Sequence, residues 1–324
     1  MILSKTPLRI SLFGGGSDMP EFFQNEPGAV VSFCIDHYIY VGVNEKFDGK
    51  TRVSYSKTEV VDDPATLEHD LVRETLRHFD MKGLEITSIS DIPGEGSGLG
   101  SSSAFTVGLA TALIAHSGGN LNAHPSVFAQ LAYGIERNLC GHLVGKQDHY
   151  AAAYGGVNYF QFNPDGTVNA EKIPLTPALR EFLEGHIMLF WTGRTRKANG
   201  ILTEQAMNMH KDLRFRDCAI LAGLAKDARG MFEDGNFKGI GEMLDGAWYY
   251  KKKLASISND EIDLIYSRAK LAGAQGGKIC GAGGGGFLML VAEPCDQKAI
   301  EEAIGLRRVY FQVEEHGSRV VYID

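Results

Sequence analysis

Residues Pro93 to Ala104 read PGEGSGLGSSSA, glycines at every second position running into three serines and then a long apolar stretch. Glycine backbones adopt positive φ and turn N–H groups inward. The serines are placed to cap the following helix, whose N-terminus carries partial positive charge. Such a cradle suits a phosphate, and it falls on Gly96, Gly98, Leu99, Gly100, Ser101, Ser102 and Ser103. Further along, Glu136 and Asp148 lie on either side of a glycine-bounded turn. Two carboxylates beside a phosphate loop suggest magnesium chemistry. Mg²⁺ takes a few protein oxygens plus substrate phosphates, so one carboxylate and a serine hydroxyl suffice and the other acid can face an attacking hydroxyl. The plain alternative for Asp148 is a surface ion pair with Lys146.

Two more groups could do chemistry. Asp18 follows Gly14-Gly15-Gly16-Ser17, and capping a helix at Pro20 is its simplest use. Arg194-Thr195-Arg196-Lys197 opens a helix, where basic residues are electrostatically misplaced unless an anion sits there. Solvated loop charge is the competing reading. Other matches fail. Gly49-Lys50-Thr51 has Asn44 where a Walker A loop needs its first glycine, and Gly281 to Gly286 satisfies GxGxxG but precedes a strand instead of joining a strand to a helix. Cys140, His142, Asp148 and His149 match no standard zinc spacing.

The elements that must position these groups follow from pattern. Leu8 to Phe13 reads as a strand, Pro20 to Gln24 as a short helix, and Ala29 to Lys46 with Thr51 to Ser56 as antiparallel sheet turning at Phe47 to Lys50. A helix over Leu67 to Phe79 and a strand over Leu84 to Ile89 follow. Ser102 to His116 is apolar nearly all round and so belongs inside the protein. In a helix over Val127 to Leu139, Glu136 lies about 40° from Ala132 and borders the buried stripe. After strand Val157 to Phe162, the turn Asn163 to Gly166 marks a domain edge. The second half reads as strand Ile187 to Trp191, long helices between Ala198 and Ala272, and strands at Phe287 to Val291, Arg308 to Val313 and Arg319 to Ile323. Helices set apart from an antiparallel sheet define an α+β class, with residues 1–164 and 165–324 as two domains.

Bulk properties narrow the function. At 324 residues and 44% hydrophobic the chain can bury a large core. A net charge of −8 argues against nucleic acid or an anionic membrane as partner, so an anionic substrate must meet a local basic cluster. Five scattered cysteines without a CxxC pair suggest reduced thiols and a cytoplasmic protein. The longest nearly apolar run, Ala104 to Ala115, falls short of the ~20 residues of a membrane span.

Three segments in order resemble the GHMP kinases: PLRISLFGGGSD from Pro7, PGEGSGLGSSSA from Pro93, and KICGAGGGGF from Lys278. The GGGSD and GLGSSSAF forms, with TGRTRKANGIL, are similar to the D-glycero-D-manno-heptose 7-phosphate kinase branch and its fucokinase-like relatives. Gly-Gly-Gly-Ser-Asp stands where galactokinases have GEHTD, which speaks against galactose. The resemblance implies a ribosomal-protein-S5-like N-terminal domain and a ferredoxin-like C-terminal domain, with ATP and sugar between them and Gly281 to Gly286 bracing the phosphate loop. It implies ATP and Mg²⁺, with Ser102 and Glu136 at the metal, Asp148 facing the acceptor hydroxyl and Arg9 stabilising the transferring phosphoryl group. Gly15, Gly16, Ser17 and Asp18 would hold the sugar. The expected reaction is phosphorylation of the anomeric hydroxyl of a heptose 7-phosphate to the 1,7-bisphosphate, with Arg194 or Arg196 on the 7-phosphate. A fucokinase-like kinase of an unphosphorylated sugar, or a silent sugar and ATP sensor, are the alternatives. The expected partners are small molecules, a sugar phosphate and ATP, and a homodimer is compatible with this reading.

Overall fold

The computed structural model describes residues 1–94, 96–195 and 198–324. In chain order its first part runs β1 (Ile2–Phe13), α1 (Pro20–Phe23), β2 (Gly28–Glu45), β3 (Thr51–Ser54), β4 (Thr58–Val61), α2 (Asp70–Phe79), β5 (Leu84–Ser90), α3 (Ser101–His116), α4 (Pro125–Tyr133), a π-helical turn Gly134–Leu139, α5 (Gln147–Tyr154), β6 (Val157–Phe162) and β7 (Val168–Ile173). Then come α6 (Pro177–His186), β8 (Ile187–Trp191), α7 (Ala198–Asn208), α8 (Asp212–Glu233), α9 (Ile240–Leu254), α10 (Asp260–Leu271), β9 (Gly276–Ile279), β10 (Phe287–Val291), α11 (Gln297–Ile304), β11 (Arg307–Val309) and β12 (Arg319–Ile323). No described helix is long and apolar enough to cross a membrane.

The strands form two sheets. The larger has the order β12-β1-β2-β5-β3-β4, with β6 on β2 and β7 on β6. Long β2 serves two neighbours on one side, pairing β6 through Gly28 to Phe33 and β5 through Ile39 to Glu45. α3 packs on β1 and β2 and buries twelve of its residues, as an all-round apolar helix must. The smaller sheet is antiparallel, β11-β8-β10-β9, and its β-α-β-β-α-β connectivity is ferredoxin-like. Every residue of β9 and β10 is buried, so this sheet is a stiff platform for the glycine run between them.

Several expectations change. The turn Phe47 to Lys50 does not join paired strands, because β5 inserts between β2 and β3 and runs parallel to β3. Of the expected strand at 308–313 only Arg308 and Val309 are strand, within β11, and Val313 makes an isolated bridge to Ile35. β12 leaves the second sheet altogether and pairs with β1. Likewise the turn Asn163 to Gly166, expected at the edge between residues 1–164 and 165–324, connects β6 to β7 within the larger sheet. That sheet therefore draws strands from both segments.

The returning C-terminus is clasped by charge. Glu314 accepts hydrogen bonds from Tyr38 Oη (2.6 Å), the His316 backbone N–H (2.9 Å) and Arg319 Nη2 (3.1 Å). Burial opposes its charge, but these donors outweigh burial and hold the carboxyl down at about 2. A depressed carboxyl stabilises the fold above its ordinary pKa of 4.5 and loses that contribution as pH falls toward 2. Glu314→Gln is expected to cost about 1–3 kcal/mol at neutral pH, with the gap to wild type narrowing below that ordinary value. Thermal unfolding at neutral and acid pH checks this; a gap independent of pH would contradict it.

Candidate active site

The phosphate loop is built by backbone geometry. Gly96, Gly98 and Gly100 have φ of 68°, 79° and 78°, a region that residues with a Cβ seldom enter. At Gly98 a Cβ would also meet Cys280 O at 2.5 Å. Phe287 N–H donates to Ser97 O at 3.1 Å, and at Gly286 a Cβ would lie 2.4 Å from the same oxygen. The glycine run between β9 and β10 thus braces the loop from behind. Leu99 is buried, its carbonyl accepting the Arg9 N–H at 3.0 Å, and the hydroxyls of Ser97 and Ser101 bond each other at 2.8 Å. One expectation is corrected: the serines do not cap α3. Gly100 occupies the N-cap in the left-handed region with no side-chain cap. The first-turn N–H groups of a helix have no intrahelical partner, which suits this helix start to an anion.

The serines instead meet Glu136. A π-helical turn, not a continued α-helix, carries this residue, and the wider turn brings it fully inside at 1% exposure. Such turns are frequent at functional sites. Ser102 Oγ donates to Glu136 Oε1, while Ser103 Oγ (2.9 Å) and His149 Nε2 (2.7 Å) reach Oε2. Burial opposes ionisation, but hydrogen bonds from His142, His149 and Ser102 prevail and hold this carboxyl well below the usual range. A carboxylate kept ionised beside hydroxyl oxygens at a helix start is a hard-oxygen donor set that fits Mg²⁺.

Arg9 of β1 joins the loop to the second acid. Its Nε and Nη2 reach Asp148 Oδ1 at 2.8 and 2.6 Å, and Nη1 donates to Gly98 O at 2.7 Å. Asp148 therefore pairs with Arg9 and not with Lys146, whose Nζ turns to Gly166 O. Asp18 is buried and does not cap α1. Its carboxylate accepts from Gly16 N–H (2.9 Å) and from the backbone (3.2 Å) and Nε2 (2.9 Å) of Gln147. Burial first, and then the charge of Asp148, raise the Asp18 carboxyl.

The remaining expected residues divide. Gly16 donates its N–H to Asp18, and Gly15 lies against Gln147, which also bonds that carboxylate. The Ser17 hydroxyl is turned inward, donating toward Gly14 O and Ala29 O and accepting from Ala29 N–H, so it clasps the turn. Arg194 is 68% exposed and pairs with Glu261 at 2.8 Å, while its carbonyl accepts from Gly286 N–H. Arg196 lies outside the described residues. Lys251 and Lys278, to which the sequence pattern assigns no role, are both buried. Burial lowers both ammonium groups, and Lys251 lowers Lys278 further. The signal for Lys251 was present, since Ile240, Leu244, Ala247, Trp248, Lys251 and Leu254 make one buried stripe of α9.

Phosphoryl transfer asks a protein for positioning and charge neutralisation more than for covalent work. A backbone cradle backed by a rigid sheet, with arginine and carboxylates converging beside it, meets that demand and defines a phosphotransferase. The comparisons with known proteins make this particular. Residues 67–156 match the GHMP kinases N terminal domain and residues 224–308 the GHMP kinases C terminal domain. The chain is 30% identical over 328 residues to the D-glycero-alpha-D-manno-heptose 7-phosphate kinase of Campylobacter jejuni, spanning 96% of this chain and 95% of that one. A D-glycero-D-manno-heptose 1-phosphate kinase structure from Bacteroides thetaiotaomicron superposes with a TM-score of 0.81 at 26% identity over the full length of both chains. A putative sugar kinase of Campylobacter jejuni gives 0.75 at 26% identity, covering 99% of this chain and 98% of that one. The chain belongs to the GHMP kinase family. It is an ATP-dependent sugar kinase.

Gly98→Ala forces a methyl group against Cys280 O at a positive φ. It is expected to cost roughly 2 kcal/mol or more and to abolish the rise in Tm that ATP gives the wild type. An undiminished ATP-induced rise would show that the nucleotide is held elsewhere.

Proposed function

We propose that the protein transfers the γ-phosphoryl group of ATP to the anomeric hydroxyl of D-glycero-D-manno-heptose 7-phosphate, yielding the 1,7-bisphosphate and ADP. The observation that carries this reading is the 30% identity to a heptose 7-phosphate kinase along 96% of the chain, together with a carboxylate held beside the phosphate loop by Arg9. Two Arg9 nitrogens, Nε and Nη2, bond the same oxygen of Asp148, so Oδ2 is left to face the acceptor. There Asp148 orients the hydroxyl and receives its proton as the new O–P bond forms. The bond between the γ-phosphorus and the bridging oxygen breaks, and its electron pair leaves on ADP. Arg9 lies close enough to neutralise charge on the group in flight, and Asp18 accepts hydrogen bonds from sugar hydroxyls. Glu136 and Ser102 would hold Mg²⁺, which when bound spreads the negative charge of the phosphates.

The 7-phosphate falls to Arg194 and Arg196, with Arg194 exchanging Glu261 for the stronger charge of a phosphate. That existing pair is also the observation that favours the second reading, a fucokinase-like enzyme whose acceptor carries no phosphate. The described cysteines are all unpaired, which supports a reducing, cytoplasmic setting.

ADP release with ATP and Mg²⁺ across sugars and sugar 7-phosphates tests the assignment. Heptose 7-phosphate is expected to give the highest kcat/KM, and Asp148→Ala to lose about 10²–10⁴ in kcat. Arg194→Ala and Arg196→Ala are expected to raise KM for the phosphorylated sugar about tenfold each. Unchanged KM in both arginine variants, with turnover of an unphosphorylated sugar, would establish the second reading.

A further inference from the structure

Gly15 sits between two glycines of positive φ but has an ordinary backbone itself, so its missing side chain provides room and not conformational freedom. What surrounds that room is polar. The position its Cβ would take lies 3.3 Å from Lys251 Nζ, 3.4 Å from Ser11 Oγ and 3.5 Å from Gln147 Nε2. One residue on, Gln205 Nε2 of α7 packs against Gly16, 2.3 Å from the corresponding position. Ser11 Oγ, Gln147 Oε1 and Gln205 Nε2 are all buried without a hydrogen-bond partner, and Ser11 and Gln205 are each 3% exposed. Lys251 gives one of its three N–H groups to Gly281 O at 2.9 Å.

Unpartnered buried polar atoms are uncommon and costly, and three elements converging here with such atoms, joined by Lys251 of α9, mark a place for a guest. Its chemistry follows from the mixture. Gln147 Oε1 can only accept, Gln205 Nε2 and Lys251 Nζ can only donate, and Ser11 can do either. A phosphate would leave the Gln147 oxygen facing negative charge, and a metal ion would be repelled by Lys251. Hydroxyl groups, each both donor and acceptor, satisfy the whole set, and the Asp18 carboxylate close by adds a further acceptor.

We propose that Gln205 and Lys251, with Ser11 and Gln147, hydrogen-bond the hydroxyl groups along the acceptor's carbon chain, so that two residues outside the three glycine motifs determine which polyhydroxylated acceptor is taken. The proposal rests on the sugar-kinase activity of this same site but not on which sugar it uses. Gln205 and Lys251 come from the second half of the chain, Ser11 and Gln147 from the first, so the acceptor is gripped from both sides.

The test is steady-state kinetics of the full-length enzyme, with heptose 7-phosphate or whichever panel sugar the wild type turns over best. Gln205→Met and Lys251→Met are expected to raise acceptor KM by at least about tenfold, with KM for ATP within about twofold of wild type. The Tm of Gln205→Met should not fall, because the amide nitrogen it removes is buried without a partner and the replacement is an apolar chain of similar size. Gly15→Ala places a methyl group 3.3 Å from the flexible end of Lys251, close enough to push the ammonium aside without disturbing backbone, so it should fold and should raise acceptor KM. Unchanged acceptor KM in the methionine variants, or a lowered Tm with unchanged KM, would overturn the proposal. Failure of wild type on the heptose phosphate alone would overturn only the sugar assignment.

Discussion

One guanidinium sets the geometry on which the rest depends. Arg9 bonds Asp148 through two nitrogens and Gly98 O through a third, and its own N–H is fixed to Leu99 O. A single β1 residue thereby fixes the distance from the acceptor carboxylate to the phosphate loop. Arg9 is 3% exposed, and a buried, paired arginine keeps its fork orientation at little further entropic cost. The loop cannot drift from the other side either, because Cys280 and Phe287 hold it against the smaller sheet. The Asp148 carboxylate and the phosphate loop are therefore set relative to each other before substrate arrives, the kind of pre-organisation from which rate enhancement in phosphoryl transfer originates.

The second constraint is charge concentration inside an acidic protein. Arg9, Lys251 and Lys278 are buried close enough to influence one another, and Asp18 and Asp148 face them. Burying charge is tolerable only with partners. Asp148 has Arg9, and Asp18 has Gly16 and Gln147, but Lys278 among them feels mainly other cations. The polar acceptor proposed above would give Lys251 further partners, so its binding would relieve a cost already present in the folded chain. Glu136 is arranged differently, with histidines and serines keeping it ionised in advance.

Much of this was legible in the residues themselves. Alternating glycines at 96, 98 and 100 require positive φ, and the apolar perimeter of Ser101–His116 requires burial, so the loop and its backing helix could be read directly. What escaped were relations between distant segments. β12 returns to β1, and β5 separates β2 from β3; strand partners so far apart in sequence leave no local pattern. The π-helical turn at Glu136 breaks helical phase with no proline or glycine pair at that residue to announce it. Gln205 and Lys251 stand on buried helical stripes, Gln205 between Ile201 and Met209, yet a lysine within Lys251-Lys252-Lys253 reads as solvated charge until the fold turns it inward. The pairing of Arg194 with Glu261, 67 residues further along the chain, likewise left no local sign.

The dependence of the site on Arg9 can be measured by a double-mutant cycle of Arg9→Met and Asp148→Asn, read as kcat/KM for the sugar acceptor. If Arg9 acts chiefly by holding Asp148 against the loop, the double variant should be little worse than the poorer single variant, a coupling of at least about 2 kcal/mol. Losses that simply multiply would mean the two residues act independently, and would contradict the account.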